Sequence, residues 1–158
     1  MWKHGKSLRA YLIGLTFAMP AHAELGGSPA FAINDFLHST TVETYRTASS
    51  IPYTLYVTTL DTGVTIKEYA SKSGNVFAVV WIEPKSQIAP IALLLGAYLP
   101  CYQQALDEAV SQSGPLASAL SIEQSGLSIR VAHEVERNSG RVYLRQALPV
   151  GFEERVIN

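Results

Sequence analysis

Residues 52–84 constrain the fold of this chain more than any other stretch. Between residues 53 and 60, and again between 64 and 69, two kinds of side chain alternate at the two-residue period of a β-strand. Turns containing Gly63 and Gly74 follow these segments. Residues 76–83 are almost entirely apolar, which is typical of the most buried strand of a sheet. The pattern predicts an antiparallel β-meander.

A helical pattern follows the meander. Residues 88–110 carry apolar side chains at the 3.6-residue period. Pro90 suits a first helical turn, whereas Pro100 lacks the N–H that an interior position needs, so we expect a break or kink near residues 96–100. Strand patterns return in three later segments, residues 120–122, 127–133 and 142–144. The expected fold class is α+β, an antiparallel sheet with a kinked helix or helix pair packed on one face.

The first 23 residues have the form of a secretory signal peptide. Lys3, Lys6 and Arg9 precede an apolar run over residues 10–19, and the triplet ending at Ala23 follows the small-x-small cleavage rule. The run is shorter than the roughly 20 residues that a membrane-spanning helix needs. We expect cleavage between Ala23 and Glu24, although an uncleaved amphipathic anchor is the alternative. The leader predicts secretion, with no stable membrane span after cleavage.

Cleavage at this point divides the chain into three predicted parts. Residues 1–23 are the signal peptide, and residues 24–50 form an N-terminal segment rich in Gly, Ser and Thr that we expect to be weakly ordered. Residues 51–158 form a single α+β domain. The chain has 12 Lys and Arg against 13 Asp and Glu, and three of the basic residues lie in the leader, so the mature protein is acidic. An acidic chain lacks the basic footprint of a nucleic-acid-binding protein.

Cys101 is the only cysteine, so an intramolecular disulfide is impossible despite the predicted export. It follows Pro100 at an expected helix start, where a helix N-terminus favours the thiolate and a mixed disulfide with a partner. The alternative interpretation is a small buried apolar residue, the commonest fate of an unpaired cysteine.

His133 is the second candidate for chemistry. His133-Glu134 resembles the start of a zincin motif, but Arg137 stands where the second histidine belongs, and the segment alternates as a strand. No metal site and no cofactor is therefore predicted. Tyr69 and Trp81 are candidates for an exposed aromatic binding patch, or else belong to the core. No Gly-x-Ser-x-Gly sequence is present to mark a nucleophilic serine.

Several ordered segments carry a family resemblance. They are residues 21–27, Tyr53-Thr54, Thr58-Thr59, Gly63, Lys67-Glu68-Tyr69, Gly74, residues 76–79, Trp81, residues 93–98, residues 140–143 and residues 148–151. Together they resemble the small secreted proteobacterial proteins grouped as domain-of-unknown-function family 2844. Arg145 departs from the family pattern, which has an apolar residue or proline there. The resemblance implies a bacterial protein that is periplasmic or secreted and has a single domain, and it carries over no catalytic residues.

Two hypotheses for function follow. The first is a non-catalytic exported protein of the bacterial cell envelope, which either binds another envelope protein or is an accessory protein of an envelope assembly. Binding would use a sheet edge or an aromatic patch. The alternative is a small periplasmic hydrolase or thiol-redox enzyme that uses Cys101 or His133. The surroundings of these two side chains discriminate between them, because a catalytic group lies in a cleft beside an acid or a nucleophile. The sequence indicates no oligomeric state.

Overall fold

The computed structural model describes residues 24–32, 37–113 and 119–158. Within these ranges the chain forms a seven-stranded antiparallel sheet of order β1-β2-β3-β4-β7-β6-β5. The strands are β1 His38–Arg46, β2 Pro52–Leu60, β3 Thr65–Ala70, β4 Val76–Pro84, β5 Ala119–Gln124, β6 Leu127–His133 and β7 Arg137–Leu144. The predicted meander is β2-β3-β4, and the α+β class is confirmed.

The central position of β4 follows from its composition. Val76–Trp81, the first six residues of this strand, are all buried, because the strand pairs with a neighbour on each edge and is covered on both faces. Its two neighbours are far apart in sequence: β3 precedes it directly, whereas β7 is reached only after the helical segment and two further strands. The prediction that residues 76–83 form the most buried strand therefore agrees with the sheet.

The helical segment is a single interrupted run, not a helix pair, within the part of the chain that is described. Helix α1, Ile91–Leu95, passes through a 3₁₀ turn at Gly96–Tyr98 directly into α2, Leu99–Ser113. Gly96 has φ +48°, which interrupts the regular helix. Pro100 lies in the first turn of α2, where its missing N–H breaks no helical hydrogen bond. The predicted irregularity near residues 96–100 is present, and the helix-pair alternative was wrong.

The sheet has two differently covered faces. The helix face packs against α1 and α2 around a core that includes Val79, Trp81 and Leu94. The opposite face, called here the tail face, is covered by the C-terminal segment, residues 148–157. On that face Phe152 contacts the rings of Tyr53 and Phe77 edge-on, with ring centroids 5.4 and 4.8 Å apart. The tail thus closes a second, aromatic core.

The segment before β2 contacts both the helix and the sheet. The Leu25 N–H donates to the Leu94 carbonyl at 2.9 Å, and the Gly26 N–H donates to the Val76 carbonyl at 2.7 Å. Strand β1 pairs with β2 along its whole length and forms one edge of the sheet. The sequence did not predict this strand. The three-part division of the chain stays a prediction, since residues 1–23 lie outside the described ranges.

No helix in the described ranges has both the length and the apolar character needed to cross a bilayer.

Candidate functional site

A row of polar side chains crosses the open end of the helix face. Glu83, Asn138 and His133 lie side by side on β4, β7 and β6, because the register pairs Glu83 with Asn138 and Asn138 with His133. The Asn138 amide Nδ2 donates to Glu83 Oε1 at 3.3 Å, and Asn138 Oδ1 lies 3.1 Å from His133 Nδ1. The other Glu83 oxygen accepts the Ala89 N–H. Three strands and the loop before α1 therefore orient one imidazole.

The hydrogen bonds assign the tautomer of His133. Because the Asn138 amide nitrogen donates to Glu83, its carbonyl oxygen faces His133 and accepts a proton from Nδ1. In the neutral ring Nε2 is then left with its lone pair, as a hydrogen-bond acceptor. This second ring nitrogen has no hydrogen-bond partner among the described residues. In the neutral form of His133 the row thus presents one oriented acceptor at the protein surface.

The imidazole borders a cleft between α2 and the sheet. The cleft has a volume of about 200 Å³. Its lining is mainly apolar and aromatic and includes Trp81, Ile91, Tyr102, Leu106, Val110 and Val131. Trp81 packs edge-on against Tyr102, with ring centroids 6.2 Å apart. Ile88 stands at the rim with 87% of its surface exposed, so part of the rim is apolar like the interior.

The tyrosine in this cleft stays protonated far into the alkaline range. Burial, followed by the negative charge of Glu83, raises the pKa of Tyr102 to about 12. Its hydroxyl is therefore a neutral group at physiological pH. With Glu83 and His133, it places three polar groups of different character at the edge of an otherwise apolar space.

Comparison with known proteins identifies a family. Residues 21–157 match the family described as "Protein of unknown function (DUF2844)". The chain belongs to the DUF2844 family. No curated protein and no solved structure matches it. The predicted resemblance is thus confirmed over nearly the whole chain.

The cleft of this DUF2844 protein holds two of the four side chains that the sequence singled out. His133 and Trp81 both line it. Tyr69 lies on the tail face instead, where its hydroxyl donates to the main-chain oxygen of Asn158 at 2.9 Å. Cys101 is half-buried near the start of α2 and packs against the helix-face core. Ala23 lies outside the described residues, whereas the Glu24 carboxylate accepts the Ala97 N–H at 3.1 Å.

The surroundings of His133 lack a nucleophile among the described side chains. Ser139 contributes to the cleft lining. Successive side chains of a strand point to opposite faces, however, so the Ser139 hydroxyl is on the tail face, whereas Asn138 and Gly140 are on the helix face. The Cys101 thiol makes no hydrogen bond to any described residue. The described ranges also contain no group of three or more His, Cys, Asp or Glu side chains placed to hold a metal ion. Around His133 the structure of this DUF2844 protein therefore offers one oriented imidazole and an apolar cleft.

Sequence reasoning missed Glu83 and Asn138. The pairing of His133 with Asn138 could have been predicted, because counting outward from the turn between β6 and β7 aligns these two residues of the hairpin. The place of Glu83 could not be predicted from the sequence. Its pairing with Asn138 requires β4 and β7 to be neighbours in the sheet, and the helix and two strands separate them along the chain.

Proposed function

We propose that this DUF2844 protein is an exported, non-catalytic protein that binds another protein of the bacterial cell envelope through the His133 cleft. The observation that carries the proposal is the cleft itself, an open apolar space bordered by an oriented imidazole. Export is supported by the leader pattern of residues 1–23 and by the family resemblance.

The size of the cleft favours a protein partner. Pockets that enclose small molecules usually measure about 300–1,000 Å³. The cleft measures about 200 Å³, which accommodates one large apolar side chain better than a whole ligand. Protein interfaces often place one such anchor side chain in a pocket. The expected partner therefore presents an exposed apolar side chain.

The rim of the cleft supports the same kind of partner. Ile88 is 87% exposed and Val110 is 40% exposed, and both border the cleft. Exposed apolar side chains around a pocket are typical of protein-binding surfaces. The free nitrogen of His133 adds one directional contact, because it can accept a hydrogen bond from a donor next to the anchor side chain.

Site-specific photo-crosslinking in the native host tests the proposal. A photoreactive amino acid at position 110 should give a discrete adduct of higher mass. Ile88→Asp should abolish the adduct by placing a charge at the apolar rim. The matched control is Val150→Asp at a side chain that is 95% exposed and does not line the cleft, and it should leave the adduct unchanged. An adduct that persists in Ile88→Asp, or its absence in the unsubstituted protein, would contradict the proposal.

The same cells test export and the thiol alternative. We expect the protein in the periplasmic or extracellular fraction, with Glu24 as its first residue. An intact leader on cytosolic protein would contradict export. Replacing Cys101 by Ser should leave the crosslinked adduct unchanged, whereas a mixed disulfide with the partner requires the thiol.

A further inference from the structure

A second groove lies on the tail face, on the opposite side of the sheet from the His133 cleft. It has a volume of about 520 Å³, within the usual range for small-molecule sites. Its walls are largely apolar and include Val80, Ile82, Ala119 and Ala132, and Ile157 of the tail closes one side. The groove is therefore large enough for an extended apolar chain.

Three cationic side chains lie near one another on the tail face, and two of them, Arg130 and Arg141, line the groove. The register pairs Lys67 with Val80, Val80 with Arg141, and Arg141 with Arg130. Arg141 and Arg130 are thus directly opposite each other on neighbouring strands. Like charges at directly opposite positions destabilise a sheet, so this pairing costs stability unless an anion lies between them.

Two of the three cations are held by main-chain oxygens of the tail. Arg141 Nη1 donates to the Ile157 carbonyl at 2.6 Å, and Lys67 Nζ donates to the Asn158 main-chain oxygen at 2.8 Å. The Arg141 guanidinium also lies over the Tyr143 ring, with its Cζ 5.8 Å from the centroid. A guanidinium has five N–H donors, so one bond to Ile157 leaves others free. Arg141 is a fixed donor at the wall of the groove.

Arg130 is differently placed. It is exposed and makes no hydrogen bond or ion pair within the described ranges. The positive charge of Arg130 acts on the carboxylate of Glu123. That carboxylate already accepts hydrogen bonds from Arg145 Nε at 2.8 Å and from Ser128 Oγ at 2.6 Å. Glu154 is bound by the Tyr143 hydroxyl at 2.6 Å. Glu123 thus has a donor on each of its two oxygens, and Arg130 makes no hydrogen bond to either carboxylate, so its own N–H donors are available for an outside anion.

We propose that the tail-face groove binds an amphiphilic carboxylate, with its carboxylate between Arg130 and Arg141 and its apolar chain along Val80, Ile82 and Ala132. Arginine pairs recognise carboxylates through charge-assisted hydrogen bonds. A carboxylate has two oxygens, so it can accept a charge-assisted hydrogen bond from each of the two guanidinium groups. The apolar walls account for the chain, since a small hydrophilic anion would gain nothing from them.

Calorimetric titration of the purified protein with decanoate tests this site. We expect saturable binding of decanoate. Decanol should bind much more weakly because it lacks the carboxylate, and acetate because it lacks the apolar chain. Arg130→Gln should raise the Kd for decanoate about tenfold or more, the usual effect of losing one charge-assisted hydrogen bond. Arg137→Gln is the matched control, because Arg137 is also an exposed arginine, lies on β7 and pairs with Glu134 outside the groove.

Ala119→Trp provides a second variant that keeps every charge. Ala119 is exposed at the groove, so a bulky side chain there should obstruct the apolar part and raise the Kd without unfolding the protein, as circular dichroism can verify. Equal Kd values for decanoate in Arg130→Gln and Arg137→Gln would overturn the proposal. Decanol binding as tight as decanoate, or decyl phosphate binding more tightly, would overturn the assigned head group. The His133 cleft lies on the other face, so its crosslinking result stays independent of this titration.

Discussion

At the scale of single residues, Trp81 and Gly140 depend on each other. They are paired across β4 and β7, and the indole occupies the space that a side chain at position 140 would need. A Cβ built at Gly140 would lie 1.9 Å from Cζ2 of Trp81. Gly140 is therefore required by a neighbour, because it alone leaves room for the large ring that lines the His133 cleft.

Gly140→Ala should consequently destabilise the protein by about 1–3 kcal/mol, the usual cost of overpacking a core. The same substitution in a Trp81→Val background should cost little, since the obstruction is gone. Denaturant unfolding of the four proteins in this double-mutant cycle measures the coupling. An equal loss of stability in both backgrounds would show that the indole is not the reason for the glycine.

Glu68 is the second residue whose effect on the free energy of unfolding can be tested. Its side chain is 1% exposed, and its carboxylate accepts the Ala30 N–H at 2.7 Å. Burial raises the pKa of Glu68, and hydrogen bonds from the Ala30 and Phe31 N–H groups oppose that rise only in part. Between its unfolded and folded pKa values the native state retains a proton that the unfolded chain releases. The free energy of unfolding therefore falls as pH rises through this window.

Glu68→Gln should remove this contribution, because glutamine keeps an acceptor for Ala30 and cannot ionise. The stability of the variant relative to the wild type should rise between pH 4 and pH 7. Urea unfolding at several pH values measures the difference. Glu136→Gln, at an exposed position, should run parallel to the wild type. A constant difference between Glu68→Gln and the wild type across this range would contradict the burial argument.

At the scale of elements, the C-terminal tail acts as the cover of one sheet face. Phe152 is 8% exposed and inserts between Tyr53 and Phe77, whereas Val150, two residues earlier, is 95% exposed. Phe152→Ala should therefore cost about 3–5 kcal/mol, as large-to-small changes in aromatic cores do. Val150→Ala should stay within about 0.5 kcal/mol. Denaturant unfolding compares the two, and similar small losses would mean that the tail does not contribute to the core.

The elements that the sequence predicted are those with a local apolar period. The alternation over residues 53–69 and the apolar run over 76–83 correspond to β2, β3 and β4. Strand β1 was missed because an edge strand buries little. Its Ser39, Thr40 and Thr41 carry no apolar pattern, although Thr40 Oγ1 lies 2.9 Å from Thr58 Oγ1 of β2. The covering role of the tail was missed because it depends on tyrosines about a hundred residues earlier in the chain.

The sequence also did not predict which side chains meet at the candidate site. His133 and Trp81 were singled out as residue types, yet nothing in the spacing placed them at one cleft. Their proximity comes from the β4–β7 pairing, which brings residues 81 and 83 next to residues 140 and 138. Long-range pairing of this kind is a property of the fold and leaves no local period in the sequence.

At the scale of the whole molecule, the buried tyrosines predict how stability responds to alkali. Burial raises the pKa of Tyr53, Tyr69 and Tyr143 above 10, and it raises that of Tyr102 to about 12. Above pH 10 the unfolded chain loses tyrosine protons that the folded protein keeps. The free energy of unfolding should therefore fall as pH rises from about 10 to 12.

Tyr102→Phe should reduce this alkaline loss, since phenylalanine has no proton to release. Urea unfolding at pH 9 and pH 11 measures the difference between the variant and the wild type. Tyr56→Phe is the matched control, because Tyr56 lies on β2, outside both buried clusters. The pH dependence of this control should follow the wild type. If the stability of Tyr102→Phe has the same pH dependence as that of the wild type, the buried Tyr102 hydroxyl does not contribute to the loss of stability at alkaline pH.

The order of the sheet has a kinetic consequence. Neighbouring strands are consecutive in sequence everywhere except at the junction of β4 and β7. Each hairpin can close within microseconds through a short turn. Joining β4 to β7 instead requires the chain from Pro84 to Arg137 to come together, and such distant closures slow folding. The pairing of β4 with β7 should therefore determine how quickly a newly made chain becomes resistant to proteases.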